Sequence, residues 1–251
     1  MLRYAFNKNK RTNLILENKV VLITGANGGL GFELVKMFLD QNVKKIYCAI
    51  RSNKDASSLK ALSSKVEIMI LDISKQENIK NIACKIKNID LLVNNAGANS
   101  KNRVFENSSL DFDVNVIGTL NLTRALSKKI NKNGLIINIT SITALINNPL
   151  IALYSASKSA LHSLTQAIRA EMSLQEIHVL EVLPGPLDTN MTKGREMEKA
   201  NPKDVANEIY LAIKNNEEEV YPDTFSKMIK NNLDKDAKAL EKQFQEVLKN
   251  I

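Results

Sequence analysis

Short apolar runs alternate with segments of helical periodicity between residues 19 and 222, and this alternation limits the chain to few folds. A repeated strand–helix order is typical of a parallel β-sheet with helices on both faces. Continuous Val, Ile and Leu runs are expected where both faces of the sheet are covered. We therefore predict a doubly wound α/β fold of the Rossmann type with a seven-stranded parallel sheet. The predicted strands are 20–24, 45–50, 66–71, 91–94, 134–140, 178–183 and 219–221.

Helical segments are predicted between these strands and after the last one. Residues 224–248 are highly charged with apolar residues at helical spacing, which indicates an extra C-terminal helix or two. We find no internal repeat or linker, so we predict a single domain over residues 1–251. Its parts would include an N-terminal extension (1–18), a substrate lid (187–201) and a C-terminal helical tail (224–251). The other predicted helices are 30–41, 56–63, 76–87, 105–131, 152–176 and 202–215.

Composition excludes several classes of protein. No apolar run approaches the roughly 18 residues of a membrane-spanning helix, so we expect a soluble, cytoplasmic protein with no membrane partner. The net charge is +8, but the lysines are scattered among Asn and Glu, and we expect no nucleic-acid partner. The two cysteines and two histidines lack metal-ligand spacing and matched carboxylates, so we predict no metal site.

A glycine-rich turn, TGANGGLG at residues 24–31, follows the first predicted strand and begins a helix. Helix N-termini present unpaired N–H groups, and glycines let the backbone approach a pyrophosphate closely. A tight strand–helix connection without a ligand is the alternative. We favour a phosphate cradle, formed by Gly25, Asn27, Gly28, Gly29, Leu30 and Gly31.

The residue after the second strand indicates which dinucleotide would bind. A carboxylate at this place binds the ribose 2′-OH, whereas an Arg accommodates a 2′-phosphate. Arg51 follows the strand here, and no carboxylate occurs before Asp55. We favour NADP(H) over NAD(H), with Arg51 paired to the 2′-phosphate. A solvated surface Arg is the alternative.

Tyr154 and Lys158 are four residues apart and would be neighbours on one helical face. A nearby ammonium favours the phenolate form of a tyrosine, so the pair could act as acid and base on a carbonyl or an alcohol. The same spacing occurs at Tyr4–Lys8 and Tyr210–Lys214, so spacing alone identifies no site. Ser141 provides the context, because it ends the fifth predicted strand at the edge where open α/β sheets bind ligands. Its hydroxyl could donate to the substrate oxygen.

Taken in order, these motifs resemble the short-chain dehydrogenase/reductase family. The resemblance is carried by TGANGGLG, the NNAG turn at 94–97, Ser141 and YSASK at 154–158, and it extends from residue 19 to about residue 191. It implies an enzyme that moves hydride between a nicotinamide dinucleotide and a carbonyl or alcohol. It also implies that Tyr154 is the general acid/base, that Lys158 lowers its pKa and binds the nicotinamide ribose, and that Ser141 orients the carbonyl.

The resemblance assigns roles to further residues. Asn115 would hold a water in the proton relay, and Asp72, followed by Ile73, would lie on the adenine side, with a helix-capping Asp as the alternative. The turn at 94–97 would steady the sheet and pass close to the cofactor. The remaining cofactor contacts implied are Asn94, Ala96, Gly97, Pro184, Gly185, Leu187 and Thr189.

Substrate choice and assembly are less constrained. The loops at 142–151 and 187–201 would flank the substrate; the first is apolar and the second carries Lys193 and Arg195, so a hydrophobic or an acidic carbonyl compound fits. The resemblance implies a homodimer through the helices at 105–131 and 152–176, with a tetramer as the alternative. The long C-terminal helix departs from the acyl-carrier-protein reductase pattern. The other functions considered are an NAD-dependent alcohol dehydrogenase of the same family and a non-catalytic dinucleotide-binding sensor or scaffold.

Overall fold

The computed structural model describes residues 14–53 and 56–250, and seven strands in this part of the chain form one parallel sheet. The strand order is β3-β2-β1-β4-β5-β6-β7, which confirms the predicted Rossmann-type topology. Asp55, the Tyr4–Lys8 pair and most of the N-terminal extension lie outside the described residues. The strands are β1 Val20–Thr24, β2 Lys45–Ile50, β3 Val66–Ile70, β4 Ile89–Asn94, β5 Ile130–Ile139, β6 His178–Val182 and β7 Glu219–Val220.

Helices cover both faces of the sheet, as the continuous apolar strands require. Phe38 of α1 and Ile209 of α7 belong to the apolar core on one face, and Ile82 of α3 and Leu122 of α5 belong to the core on the other. The described α-helices are α1 Gly29–Asp40, α2 Ala56–Lys60, α3 Gln76–Lys85, α4 Leu110–Phe112, α5 Thr119–Leu126, α6 Ala152–Ser173, α7 Pro202–Lys214 and α8 Thr224–Glu246.

Strand β1 pairs with β2 on one side and with β4 on the other, so the direction of the winding reverses there. In open α/β sheets the crevice at such a reversal, beyond the carboxyl ends of the strands, is where ligands bind. The segments that follow β1, β4, β5 and β6 therefore define the edge at which a functional site is expected.

The single helix predicted over 105–131 is wrong at both ends. Phe105 is fully exposed before the first helical turn of α4, and a π-helical segment, Asp113–Gly118, separates α4 from α5. Strand β5 begins at Ile130, which pairs with Ile89, four residues before the predicted start. A register shift in this pairing accommodates the polar residues between Ile130 and Leu135, which gave no strand-like pattern in the sequence.

The chain ends in a long helix that folds back on the carboxyl edge. Helix α8 is non-helical at Asp236, so it has two parts, and a 3-10 turn, Val247–Asn250, follows it. Its buried Ile229 and Leu240 form a small apolar cluster with Ile142. Among the residues described, no helix has both the length and the apolar character needed to cross a membrane.

Candidate active site

The glycine-rich turn joins β1 to the N-terminus of α1 and has little room for side chains. Gly25 has a φ of +62°, a conformation that glycine adopts at low cost. A Cβ on Gly31 would collide with the Gly25 carbonyl oxygen, and one on Gly29 would lie 2.6 Å from Thr189 Cγ2. Only glycines allow this close packing of the turn.

The N-terminal end of α1 suits an anion. Gly28 caps the helix without a side chain, and the first turn contains no acidic residue, so nothing from the helix itself neutralises the N–H groups there. Asn27, Gly28 and Gly29 are exposed, whereas the Leu30 side chain is buried in the core. Leu30 could therefore contact a phosphate only through its backbone. The residues present fit the pyrophosphate of a dinucleotide.

Thr24 and Asn95, which belong to the two quoted motifs but were not predicted as site residues, fix this turn in place. Thr24 Oγ1 accepts hydrogen bonds from the backbone N–H groups of Asn95 and Ala96 at 3.0 and 2.9 Å. Asn95 Nδ2 donates to the carbonyls of Thr24 and Gly25 at 2.9 and 3.1 Å. The turns after β1 and β4 are thus joined side by side. The sequence could have indicated this contact, because Thr24 and Asn95 are polar residues at the ends of two neighbouring strands.

Ser141, Tyr154 and Lys158 meet at the carboxyl end of β5. Ser141 caps a 3-10 turn, Ile142–Ala144, and its Oγ accepts from Thr143 N at 3.1 Å. The Lys158 ammonium is buried, lies 5.7 Å from the centre of the Tyr154 ring, and donates to the Ile139 carbonyl at 2.8 Å. The predicted acid–base pair and the predicted orienting hydroxyl therefore share one site.

The pKa values of the pair differ from the sequence-based expectation. Burial raises the pKa of Tyr154 to about 12, against a lowering effect of the hydrogen bond with Ser141. Burial lowers the pKa of Lys158 to about 8, against the raising charges of Glu181 and Asp111. The expected lowering of the tyrosine pKa by the lysine is not seen. The ammonium faces the ring and a backbone carbonyl, and the surrounding protein disfavours the phenolate.

Asn115 lies in the π-helical segment, fully buried, and both its amide nitrogen and its amide oxygen are hydrogen-bonded within the protein. Its Oδ1 accepts from Ala98 N at 2.8 Å, and its Nδ2 donates to the Ala98 carbonyl and to Ser157 Oγ, both at 2.9 Å. A Cβ on Gly97 would lie 3.3 Å from Asn115 Oδ1 and 3.7 Å from Lys158 Nζ. Gly97 therefore lets the segment after β4 pass between the Asn and the Lys. π-Helical segments of this kind occur often at functional sites.

Asn94, predicted as a cofactor contact, turns into the protein. Its side chain is 3% exposed, and its Nδ2 donates to Thr123 Oγ1 at 3.0 Å and to Asn138 Oδ1 at 2.8 Å. The side chain ties β4 to β5 and α5, in agreement with the sheet-steadying part of the expectation. Its Oδ1 is a buried oxygen without a hydrogen-bond partner.

The adenine-side residues lie at the ends of β2 and β3. Arg51 is exposed directly after β2. Asp72 Oδ1 accepts from Ser74 N at 3.0 Å and from Ser74 Oγ at 2.7 Å, in a turn that precedes α3 without capping it, since Lys75 is the N-cap. Burial by itself would raise the pKa of Asp72, but the Ser74 hydrogen bonds and the charges of Lys75 and Arg51 lower it overall. Ile73, the next predicted contact, is buried, and its carbonyl packs against Gly118.

The turn that leads into the predicted lid lies next to Ser141. The Pro184 carbonyl accepts from Ile142 N at 2.9 Å and from Ser141 Oγ at 3.5 Å. Leu187 forms an isolated parallel bridge with Ala200, so the loop between them is closed at its base. Thr189 extends from this loop to Gly29. The lid and the glycine-rich turn are therefore in contact.

The apolar loop at 142–151 has a use that the sequence did not reveal. Ile142 is buried, and Leu145 and Ile146 pack with it against Ile229 and Leu240 of α8. The apolar character of this loop is accounted for by packing on the C-terminal helix, so it is no guide to the polarity of the substrate.

Two buried carboxylates that act on Tyr154 and Lys158 were not predicted from the sequence. Asp111 is fully buried and accepts from Ser100 N at 3.1 Å. Glu181 is fully buried in β6, with His162 Nδ1 at 3.0 and 2.9 Å from its two oxygens. Asp111 gave no sequence signal, whereas Glu181 stood out as a charged residue within an otherwise apolar strand.

The expectation that no carboxylate matches a histidine is wrong for His162. Glu219 pairs in register with Glu181, and ligand atoms of His162, Glu181 and Glu219 all lie within 4.8 Å of one another. His162 Nδ1 faces Glu181, however, and its Nε2 lies 3.0 Å from Gln166 Nε2. Both ring nitrogens of His162 have partners within the protein. We therefore interpret His162 and Glu181 as a hydrogen-bonded pair whose charge acts on Lys158.

Comparisons with known proteins agree with this geometry. The family model for short chain dehydrogenases matches residues 19–200. An uncharacterized oxidoreductase of Staphylococcus saprophyticus is 31% identical over 215 residues, which cover 79% of this chain and 92% of that protein. A 3-oxoacyl-(acyl-carrier-protein) reductase of Rickettsia prowazekii is 33% identical over 183 residues, covering 70% and 76%. A solved short chain dehydrogenase from Burkholderia cenocepacia, in complex with NADP, has a TM-score of 0.85 and 32% identity, covering 92% and 99%.

A parallel sheet whose first strand leads through a glycine-rich turn into a helix N-terminus defines a dinucleotide-binding α/β protein. The family match covers most of the chain and includes the Ser, Tyr and Lys at the carboxyl edge. The chain belongs to the short-chain dehydrogenase/reductase family and is an NAD(P)-dependent oxidoreductase.

Proposed function

We propose that this protein uses NADP(H) to reduce a small-molecule carbonyl compound to an alcohol, with Tyr154 as the general acid. The observation that carries the proposal is the convergence of Ser141, Tyr154 and the buried Lys158 at one sheet edge, beside the glycine-rich turn. A bound nicotinamide dinucleotide would supply the hydride. The protein's own residues would orient the carbonyl and manage the proton.

Each residue of the site has a role that its surroundings support. Ser141 Oγ would donate to the carbonyl oxygen, exchanging its long 3.5 Å hydrogen bond to the Pro184 carbonyl for a stronger acceptor. Tyr154 would give the proton to the same oxygen as negative charge develops on it. Lys158 would bind the nicotinamide ribose and replace the tyrosine proton, for which a pKa of about 8 is well suited.

Reduction is the proposed direction, and it requires Tyr154 to be protonated. A phenol with a pKa of about 12 holds its proton at neutral pH, as a general acid requires. Alcohol oxidation needs the phenolate, which the same environment disfavours. Measuring initial rates in both directions at pH 7 with one carbonyl/alcohol pair would contradict this assignment if oxidation were the faster reaction.

NADP(H) is favoured by Arg51, which is exposed after β2 and close enough to Asp72 to influence its pKa. Asp72 accepts two hydrogen bonds from Ser74, so its carboxylate has partners of its own besides Arg51. The NADP complex of the Burkholderia cenocepacia relative supports the same choice. NAD(H) is the rival cofactor.

The test is a pair of binding and activity measurements. Dissociation constants for NADPH and NADH would be determined with the wild-type chain, with Arg51→Ala, and with Arg124→Ala as a surface-arginine control. We expect NADPH to bind more tightly, and Arg51→Ala to weaken NADPH by roughly 10- to 100-fold without affecting NADH. Equal affinities in the wild type would contradict the NADP(H) preference. Failure of a broad carbonyl panel to oxidise NADPH would contradict the proposed reaction.

A further inference from the structure

Helix α8 is hydrogen-bonded to the active-site edge through one carboxylate. Asp223 is the N-cap of α8 and is buried; its Oδ1 accepts from Ser226 N at 2.8 Å. Its Oδ2 accepts from Gly185 N at 2.7 Å. One oxygen thus caps the helix and the other fixes the turn after β6. No neutral side chain of this size offers two separate acceptor oxygens, so the position requires a carboxylate.

The Gly185 turn leads directly to Ser141. The Pro184 carbonyl, next to Gly185, accepts from Ile142 N at 2.9 Å and from Ser141 Oγ at 3.5 Å. Asp223 is therefore connected to Ser141 through the peptide unit that joins Pro184 to Gly185. The charge of Asp223 is favourable at this place because it lies at the positive end of the α8 dipole.

Packing against α8 supports the same connection. A Cβ on Gly185 would lie 2.7 Å from Asp223 Oδ1 and 2.8 Å from Phe225 Cδ1, so the helix start is in close contact with the turn. Farther along α8, Ile229 and Leu240 pack on Ile142, the residue after Ser141. The terminal 3-10 turn, Val247–Asn250, contacts Pro149–Ile151, which leads into the helix of Tyr154.

We propose that Asp223 is a positioning residue for the reduction, and that α8 supports the active site through it. Asp223 holds the turn at Gly185, and the hydrogen bond from Ile142 N to the Pro184 carbonyl extends this constraint to the backbone next to Ser141, which positions the Ser141 hydroxyl for the substrate carbonyl. This inference rests on the proposed function of Ser141. It gives the C-terminal helix a role that its sequence alone did not indicate.

The experiment compares two aspartates of the same helix. Asp223→Ala removes both the helix cap and the acceptor for Gly185 N. Asp236→Ala is the matched control, because Asp236 Oδ1 also caps a helical segment, accepting from Lys238 N and Ala239 N at 3.0 and 2.9 Å, and is exposed, away from the turn. We expect kcat for carbonyl reduction to fall by about 10²-fold in Asp223→Ala and to stay at the wild-type level in Asp236→Ala.

A double-mutant cycle separates positioning from a general loss of structure. If Asp223 acts through Ser141, Asp223→Ala will cost little further kcat in a Ser141→Ala background. If the whole loss persists in that background, or if Asp223→Ala turns over like Asp236→Ala, the proposal is overturned. Should Asp223→Ala fail to fold, Asp223→Asn replaces it: its one amide oxygen serves Ser226 or Gly185 but not both, and wild-type kcat would overturn the proposal.

A measurement without turnover distinguishes this inference from the proposed function. Amide hydrogen exchange at Gly185 should accelerate in Asp223→Ala and not in Asp236→Ala, whatever the reaction. Unchanged exchange at Gly185 would overturn the positioning role by itself. A wild-type chain that protects this amide yet oxidises no NADPH with any carbonyl would instead contradict the proposed reaction.

Discussion

Two described Tyr-xxx-Lys pairs, on α6 and α7, have almost the same local geometry and very different surroundings. The Lys158 ammonium lies 5.7 Å from the Tyr154 ring centre, and the Lys214 ammonium lies 5.6 Å from that of Tyr210. Lys158 is buried and bonded to the Ile139 carbonyl, whereas Lys214 is exposed. Helical spacing alone produces the ring–ammonium contact, so the chemistry must come from what surrounds the pair.

The surroundings differ in charge as well as burial. Burial lowers the pKa of Lys158 to about 8, although two fully buried carboxylates, Glu181 and Asp111, raise it. Tyr154 also shares a hydrogen bond with Ser141. Perturbed pKa values in a cleft are typical of functional groups, and both members of the α6 pair have them.

The largest effect is expected from removing the proton donor. Tyr154→Phe should lower kcat/KM for carbonyl reduction by about 10²- to 10⁴-fold, because proton transfer in the transition state contributes this much. Tyr210→Phe removes the same hydroxyl from the counterpart and should leave the steady-state constants unchanged. Comparable losses in the two variants would mean that the α6 pair is not the reacting one.

The second prediction concerns Lys158, whose replacement should lower activity and raise the stability of the fold. Lys158→Met should abolish most turnover and yet stabilise the fold by ~1–3 kcal/mol at pH 7, measured by chemical denaturation. The lysine pKa is about 8 when folded and 10.5 in the reference state, so holding the charged form in the fold is costly below pH 8. The cost fades as pH rises from 8 towards 10.5, and so should the stabilisation by Met.

Lys214→Met is the control for this experiment. Its ammonium is exposed on α7, so the variant should leave both the activity and the unfolding free energy at pH 7 close to the wild-type values. A lower unfolding free energy for Lys158→Met than for the wild type at pH 7 would mean that the buried ammonium stabilises the fold.

A smaller effect, on the pH profile of reduction, should come from removing the negative charge of the buried Glu181. Glu181→Gln removes a charge that raises the Lys158 pKa, so the fall of the reductase rate on the alkaline side should move to lower pH. The rate at its maximum should change little. Glu218→Gln, an exposed neighbour whose carboxylate lies 3.9 Å from Arg169 Nε, serves as the control and should leave the pH profile unchanged. An unshifted profile in Glu181→Gln would remove Glu181 from the account of the α6 pair.

The strands and the motif residues could be predicted from the sequence, whereas the contacts between distant side chains could not. The strands were predicted within two residues except for the start of β5, because continuous apolar runs are a local signal. The glycine-rich turn, Ser141 and Tyr154 follow from motif order. Glu181 with His162, and Asp223 with Gly185, depend on contacts between residues 19 and 38 positions apart, and nothing in the local pattern specifies such a partner.

The smallest effect would measure the ring–ammonium contact itself. On α7 the lysine of this contact is exposed and the pair has no proposed catalytic role. A double-mutant cycle with Tyr210→Leu and Lys214→Met should therefore give a coupling of about 0.5 kcal/mol in the free energy of unfolding. The value matters for α6, because it is the share of the Tyr154–Lys158 interaction that helical spacing provides without burial. A coupling of several kcal/mol on α7 would mean that spacing alone makes a strong pair. The difference in activity between the Tyr154–Lys158 and Tyr210–Lys214 pairs would then be explained by access to substrate and not by burial.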